Sequence, residues 1–168
     1  MQTKFAGKAF VFGKNIDTDQ IYPGRYLDLT DPPDVAEHAM EGASDARFAA
    51  DFKAGDIIVA ETNFGCGSSR EHAVVTLKAV GVAAVLAESF ARIFYRNGIN
   101  LGVPLLVSPG IAGKVSRGDE LEIDLAGCAV RNATKGESYP LEPVTDYAKN
   151  ILEAGGIKPL LKAEYGEK

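Results

Sequence analysis

Four short apolar runs, rich in β-branched and aromatic residues, constrain the fold of this chain most strongly. Glycine or proline bounds these runs, and their length and composition are typical of buried β-strands. We therefore expect four or more buried strands. The runs are KAFVFG, DIIVAET, AAVLAES and VPLLVS, at residues 8–13, 56–62, 83–89 and 103–108.

Helical patterns lie between these runs. In SSREHAVVTLKAVG, Ala73, Leu77 and Val80 fall on one helical face, which is the spacing of an amphipathic helix. This helix is expected to end at Gly81, because glycine commonly ends helices. The segment SFARIFYRNG repeats the pattern before Gly98. Both segments are predicted to be short crossover helices.

The pattern changes from Asp119 onward. In the segment DELEIDLAGCAVRNATKGESYPL, apolar and polar residues alternate, and Asn132 and Gly136 are turn-prone. This pattern favours antiparallel strands. A last helix is expected near residues 146–154. The chain is therefore predicted to be an α/β protein with a mixed sheet, and the lack of a repeat or a long linker predicts one domain over residues 1–168.

Composition excludes several functional classes. The chain has 168 residues, 46% of them hydrophobic, which suits one ordinary globular domain. Eighteen basic and 23 acidic residues give a net charge of −5, and no basic block argues for a nucleic-acid partner. No apolar run approaches the ~18 residues of a membrane span, and the first residues do not resemble a secretory signal. We expect a cytoplasmic protein without a membrane partner.

The cysteines and histidines are too few for a metal centre. Cys66 and Cys128 are the two cysteines of the sequence, whereas a disulfide framework, a four-thiolate zinc site or an iron-sulfur cluster needs more. The two histidines, His38 and His72, lie far apart in sequence, and a lone histidine on a helix is more often a hydrogen-bonding residue than a ligand. No metal site is predicted in this chain.

The stretch NFGCGSSREHA, at residues 63–73, follows the strand DIIVAET directly. It is predicted to be a strand-to-helix turn, with the helix beginning around Ser69 or Arg70. Gly65 and Gly67 permit positive φ and a close backbone approach. The free amides of the first helical turn can then point together at a small anion such as a carboxylate or a phosphate.

The polar side chains of this turn allow two interpretations. Ser68 and Ser69 offer hydroxyl groups, and Arg70 offers a fork that matches a carboxylate with two parallel hydrogen bonds. Alternatively, Ser68 is only the N-cap of the helix, and Glu71 is its capping-box partner. The spacing by itself leaves both interpretations open.

A cysteine-dependent hydrolase is a further alternative. Cys66 could act as a nucleophile with His72 as its base, because a helix N-terminus lowers the pKa of a thiol. This pair lacks a third, orienting group. A serine hydrolase is disfavoured, since the stretch does not have the nucleophile-elbow pattern. A third alternative is that the chain is a stand-alone carboxylate-binding module.

Three motifs together carry a resemblance to a known family. They are NIDTDQIYPGRYL, NFGCGSSREHA and VAAVLAESFARIFYRNGINLGVPLL. In this order they resemble the small subunits of the 3-isopropylmalate dehydratase family, which are related to the C-terminal swivelling domain of aconitase. The resemblance implies a swivelling β/β/α domain that closes over a separate large subunit carrying a [4Fe-4S] cluster, in a heterodimer or heterotetramer. This chain would bind no cofactor itself and would supply half of an active site.

The resemblance also implies roles for individual residues. Ser68 matches the catalytic base that removes a proton from the carbon next to a carboxylate. Ser69 and Arg70 match residues that bind the substrate carboxylate. In NIDTDQI, Asp19 matches a catalytic aspartate of aconitase. Asp17 and Thr18 in the same motif can simply be turn residues whose side chains bond to local backbone.

Substrate choice in this family is associated with the loop GRYLDLTDPPD. Homoaconitase-like small subunits tend to carry an arginine where this chain has Asp28. A carboxylate there would repel a third substrate carboxylate, and Leu29 could contact an isopropyl branch. This favours a hydro-lyase that isomerises 2-isopropylmalate to 3-isopropylmalate in leucine biosynthesis. Homoaconitase or another alkylmalate dehydratase is the alternative. The competing interpretation of Asp28 is that its side chain points to solvent and does not affect substrate choice.

Overall fold

The computed structural model describes residues 3–166, and this part of the chain forms one seven-stranded sheet with helices around it. The strands are β1 (Lys4–Val11), β2 (Ile57–Ala60), β3 (Ala84–Ala87), β4 (Leu105–Val107), β5 (Glu120–Asp124), β6 (Ala129–Asn132) and β7 (Glu137–Pro140). The helices are α1 (Thr18–Ile21), α2 (Pro32–Glu37), α3 (Phe48–Asp51), α4 (Glu71–Val80), α5 (Arg92–Asn100), α6 (Asp146–Ala154) and α7 (Ile157–Tyr165). Short 3₁₀ turns lie at Gly24–Tyr26 and Ile111–Lys114.

The sheet is half parallel and half antiparallel. Its order is β4-β3-β2-β1-β5-β6-β7. Strands β1 to β4 pair in parallel, whereas β5, β6 and β7 pair antiparallel, beginning on the other edge of β1. The prediction of an α/β fold with a mixed sheet and at least four buried strands is confirmed.

Strands β2 and β3 are buried along their whole length because both faces of the sheet are covered. One row of facing residues, Phe10, Ile58, Val85 and Leu105, packs into a core with helices α4, α5 and α6. The alternate row packs into a second core on the opposite face. Burial on two faces explains why these strands read as continuous apolar runs.

The antiparallel half covers that second face by curling back over it. Tyr139 of β7 belongs to the same core as Leu106 of β4, although these strands lie at opposite ends of the sheet order. The amide of Glu142 donates to the carbonyl of Val107 at 2.8 Å, and the hydroxyl of Ser108 donates to the carbonyl of Pro140 at 2.7 Å. The two outer edges of the curled sheet therefore meet.

Helix α4 follows the predicted pattern closely. Ala73 and Leu77 are buried, and Val80 packs partly buried against the same core. Gly81 ends the helix in the left-handed conformation, at φ 86°, as expected. The first helical residue is Glu71, so α4 begins slightly later than predicted.

The prediction that the next helix ends before Gly98 is wrong, because α5 runs on to Asn100. Gly98 is a packing residue. A Cβ at this position would lie 2.4 Å from Cδ1 of Leu105, so glycine lets the helix approach β4. Helix α6 forms where the last helix was expected, but α7 follows it.

No helix within residues 3–166 is both long and apolar enough to cross a membrane. The prediction of a single domain over residues 1–168 remains a prediction.

Candidate active site

Three loops meet at the carboxyl ends of β1, β2 and β3. The amide of Gly65 donates to the carbonyl of Ile16 at 2.7 Å, and the amide of Thr18 donates to the carbonyl of Cys66 at 2.9 Å. On the other side, the amide of Ala91 donates to the carbonyl of Phe64 at 3.0 Å. These bonds continue the parallel pairing beyond the strands, at the edge where open α/β sheets commonly bind ligands.

Glycine is required where the β2 loop crosses α5. Gly65 has φ 87°, and a Cβ on it would lie 2.1 Å from Cγ of Phe94. Gly67 has φ 96°. The predicted positive φ at both glycines is confirmed, and at Gly65 the close approach to Phe94 adds a steric requirement.

A cavity of about 180 Å³ opens at this edge. The β2 loop contributes both serines and an arginine, and the start of α5 contributes a second arginine. No aspartate or glutamate lines it, so its side chains favour an anion. The lining residues are Thr18, Gly65, Gly67, Ser68, Ser69, Arg70, Ala91, Arg92, Ile93, Phe94 and Asn97.

Ser68 lies at this cavity with an exposed side chain and does not cap the helix. Its Oγ is 3.3 Å from Oγ1 of the buried Thr18. The interpretation of Ser68 as N-cap is wrong, because Arg70 occupies the cap position and no side chain caps α4. Arg70 has an extended backbone, at φ −99° and ψ 118°, which delays the start of the helix. The hydroxyl of Ser68 is therefore available for other chemistry.

Asp19 and Arg70 are brought together although 51 positions separate them in sequence. Oδ1 of Asp19 accepts hydrogen bonds from the amide of Gly24 at 2.8 Å and from Nη1 of Arg70 at 3.2 Å. The Gly24 amide lowers the pKa of Asp19 below its ordinary value of 3.8; desolvation opposes this shift, and the Arg70 guanidinium reinforces it. Asp19 is thus a carboxylate at neutral pH that holds one side of Arg70.

The role of a local turn residue belongs to Asp17. Its side chain accepts from the amide of Gln20 at 2.8 Å, and the side chain of Gln20 accepts from the amide of Asp17 at 2.9 Å. This is a reciprocal capping box at the start of α1. It fixes the segment from which Thr18 and Asp19 face the β2 loop.

Asp28 and Leu29 lie outside the cavity. Asp28 is exposed and Leu29 is half-buried, just after the 3₁₀ turn Gly24–Tyr26. Tyr26 anchors this loop, because its hydroxyl donates to Oε1 of Glu41 at 2.7 Å and its ring stacks on His38 at 3.6 Å. A role for either residue in substrate choice therefore depends on how substrate and partner approach the loop.

The cysteine-hydrolase alternative finds no support in the geometry. Burial, and then the charge of Asp17, raises the pKa of the Cys66 thiol above its ordinary value of 9.0. The ring of His72 instead stacks on Tyr22, with centroids 6.2 Å apart and planes 7° apart. A protonated thiol without a base is a poor nucleophile.

Within the described range, no group of three or more His, Cys, Asp and Glu side chains could hold a metal ion. Cys66 and Cys128 are both free thiols, and His38 pairs with Glu41. An iron-sulfur cluster is normally held by cysteine thiolates, commonly four, so these residues do not fit one.

Arg92 and Asn97 line the cavity but were not predicted as site residues. Both belong to SFARIFYRNG, which was interpreted as a crossover helix and as part of the third family motif, without a site role for either residue. The signal that could have found them is position, because this segment follows the third strand as NFGCGSSREHA follows the second. The carboxyl ends of neighbouring parallel strands share one edge of a sheet.

Comparison with known proteins agrees with this architecture. The aconitase C-terminal domain family matches residues 11–109, the segment that contains all three loops. The chain therefore belongs to the aconitase C-terminal domain family. The resemblance to 3-isopropylmalate dehydratase small subunits, expected from the three motifs, is confirmed by the relatives.

Three similar proteins illustrate the relationship. The 3-isopropylmalate dehydratase small subunit 1 of Methanopyrus kandleri is 52% identical over 98% of this chain and 96% of its own length. The isopropylmalate/citramalate isomerase small subunit of Methanocaldococcus jannaschii is 49% identical over 99% of each chain. A crystal structure of 3-isopropylmalate dehydratase from M. jannaschii superposes with a TM-score of 0.91 at 43% identity, covering 96% of this chain and 95% of the other.

The steric requirement at Gly65 predicts a stability difference between two glycine variants. Gly65→Ala meets both positive-φ strain and the Phe94 ring, so we expect it to lower the free energy of unfolding by about 2 to 5 kcal/mol. Gly136→Ala is the matched control, because Gly136 has φ 70° but nothing within 4 Å of an added Cβ. It should lose only about 1 to 2 kcal/mol. Urea denaturation measures both, and equal losses would contradict the packing argument.

Proposed function

We propose that this chain is the small subunit of a two-subunit hydro-lyase that isomerises 2-isopropylmalate to 3-isopropylmalate by dehydration and rehydration, in leucine biosynthesis. The observation that carries the proposal is the cavity with two arginines, two serines and no carboxylate, in a chain whose relatives are named 3-isopropylmalate dehydratase small subunits. Malate-type substrates are dicarboxylates, and such a cavity favours their binding.

In this proposal Ser68 is the catalytic base. Dehydration removes a proton from a carbon beside a carboxylate, and a serine hydroxyl can do so only if its ionised form is stabilised. Three features support that form: the Thr18 hydroxyl 3.3 Å away, the Arg70 guanidinium in the same cavity, and the uncapped N-terminus of the ten-residue helix α4.

Ser69 and Arg70 bind one substrate carboxylate in this account. Arg70 can offer a planar fork of donors. Asp19 accepts a hydrogen bond from one nitrogen of this guanidinium and so limits its rotation. Asp19 is itself ionised at neutral pH, which suits a residue that positions Arg70 rather than one that donates a proton. We therefore assign Asp19 to the catalytic machinery through its contact with Arg70.

The partner in this proposal is the large subunit. The relatives are named small subunits, which implies a large-subunit partner. We place the [4Fe-4S] cluster in that partner, since the donor set described above does not fit one. No nucleic acid or membrane partner is proposed, and the cytoplasmic location remains a sequence-based prediction.

Dependence on the partner is the direct test of the proposed function. Purified anaerobically, the chain alone should not turn over 2-isopropylmalate, and activity should appear when the cluster-bearing large subunit is added. The assay follows 3-isopropylmalate formation while the large subunit is titrated against a fixed amount of this chain. Robust turnover by the lone chain would contradict the proposal and would revive the stand-alone alternatives.

The role of Ser68 predicts a separation of chemistry from binding. In the reconstituted enzyme, Ser68→Ala should lower kcat by about 10²- to 10⁴-fold with a smaller change in KM, because a positioned base acts on the transferred proton. Cys66→Ser is the matched control in the same loop and should keep most of the activity. Near-normal turnover by Ser68→Ala would show that Ser68 is not the catalytic base.

A second alkylmalate substrate is favoured by one relative. The M. jannaschii small subunit that is 49% identical is named for both isopropylmalate and citramalate. Another alkylmalate is therefore a candidate substrate here. Homoaconitase activity is less favoured on charge, since Asp28 would oppose a third substrate carboxylate.

Substitution at Asp28 tests this choice of substrate. Asp28→Arg replaces a repulsive charge with a fork that can pair with a third carboxylate. We expect it to shift the preference toward homocitrate-type substrates by about 1 to 3 kcal/mol, and Asp28→Asn should give a smaller shift of the same sign. The measurement is the ratio of kcat/KM for the two substrates at fixed ionic strength. A ratio that stays constant across the three proteins would show that residue 28 does not face the substrate in the assembled enzyme.

A further inference from the structure

We propose that Arg92 binds the second carboxylate of the substrate, so that the dicarboxylate is held between two arginines of this chain. The inference rests on the proposed function and adds a specificity residue to it. It is carried by the position of Arg92 in the cavity and by the difference in pairing between Arg92 and Arg70.

Arg92 is fixed relative to the β2 loop by backbone contacts. It is the first residue of α5, and the residue before it, Ala91, donates its amide to the carbonyl of Phe64 at 3.0 Å. Phe94, two residues on, lies directly beneath Gly65. The start of α5 and the loop that carries Ser68 are therefore parts of one packed unit, and Arg92 lines the same cavity as Ser68 and Arg70.

The two arginines differ in what already binds them. Arg70 is engaged by Asp19 at 3.2 Å. The guanidinium of Arg92 has no hydrogen-bond or carboxylate partner within residues 3–166. It also borders a neighbouring cavity of about 630 Å³ that contains Glu88 and Glu142, yet it pairs with neither. An exposed arginine with an open fork, beside a cavity without carboxylates, is ready to bind an anion.

The chemistry of the substrate requires a second anchor. A malate-type substrate has a carboxylate at each end, and the proton removed by Ser68 comes from one specific carbon between them. Binding one carboxylate leaves the molecule free to rotate about that end, whereas binding both fixes which carbon faces Ser68. With Arg70 at one end, Arg92 is the remaining cation that lines the cavity.

The test compares Arg92 with Arg96 on the same helix. Arg96 lies four residues further along α5 and has no ion pair in the described structure, and it borders only the neighbouring cavity. In the reconstituted enzyme, Arg92→Gln should raise KM for 2-isopropylmalate by about tenfold or more with a smaller change in kcat. Arg92→Lys should recover part of the loss, because it restores charge but not the fork. Arg96→Gln should leave both constants near the wild-type values.

A binding measurement separates this inference from the proposed function. Succinate, a dicarboxylate, and butyrate, a monocarboxylate, are titrated calorimetrically into the assembled pair, which requires no turnover. The wild-type pair should prefer succinate, and Arg92→Gln should lose most of that preference. A preference that survives in Arg92→Gln would overturn the inference. So would an unchanged KM together with weaker subunit association, since Arg92 would then be a contact with the partner. Failure of the wild-type pair to convert 2-isopropylmalate would contradict the proposed function, and the succinate preference would still decide the role of Arg92.

Discussion

The hydrogen bond from the amide of Gly65 to the carbonyl of Ile16 is the contact on which the rest of the site depends. It continues the β1–β2 pairing past the ends of the strands and so places the serine-containing loop beside Thr18. Only a residue without a side chain fits there, because Phe94 of α5 fills the space that a Cβ would occupy. The same close contact brings the start of α5, with Arg92, to the cavity. One steric constraint therefore assembles groups from three separate segments of the chain.

The electrostatics of the site follow from this assembly. The cavity is lined by two guanidinium groups, and its own side chains include no carboxylate. Asp19 approaches from the side and takes part of the hydrogen-bonding capacity of Arg70, while Arg92 keeps its whole fork. We propose that this arrangement holds a dicarboxylate with one end at each arginine, next to Ser68, whose ionised form the same positive charge would stabilise.

The parts of this structure that depend on local pattern could be predicted from the sequence. Strands buried on both faces give continuous apolar runs, and Gly81 marks a helix end because its backbone is left-handed. Parts that depend on tertiary contact could not be predicted. Gly98 does not end its helix; it is glycine because the helix packs closely against strand β4 at this residue. Helix α7 has no fully buried residue, so its sequence does not give a strong amphipathic pattern. Likewise, the motif indicated that Ser68 and Arg70 share one turn, and both line the cavity, but the position of Arg92 depends on how two loops meet in space.

If the bonds between the strand ends suffice, this chain forms its part of the proposed site without the large subunit. Hydrogen exchange of the lone subunit, followed by NMR, measures this directly at the amides of Thr18, Gly65 and Ala91. We expect protection at all three amides approaching that of strand β2, without substrate or large subunit. Exchange at the rate of an open loop at these amides, with protection gained only after the large subunit binds, would show instead that the partner assembles the site and that this chain does not form its part alone.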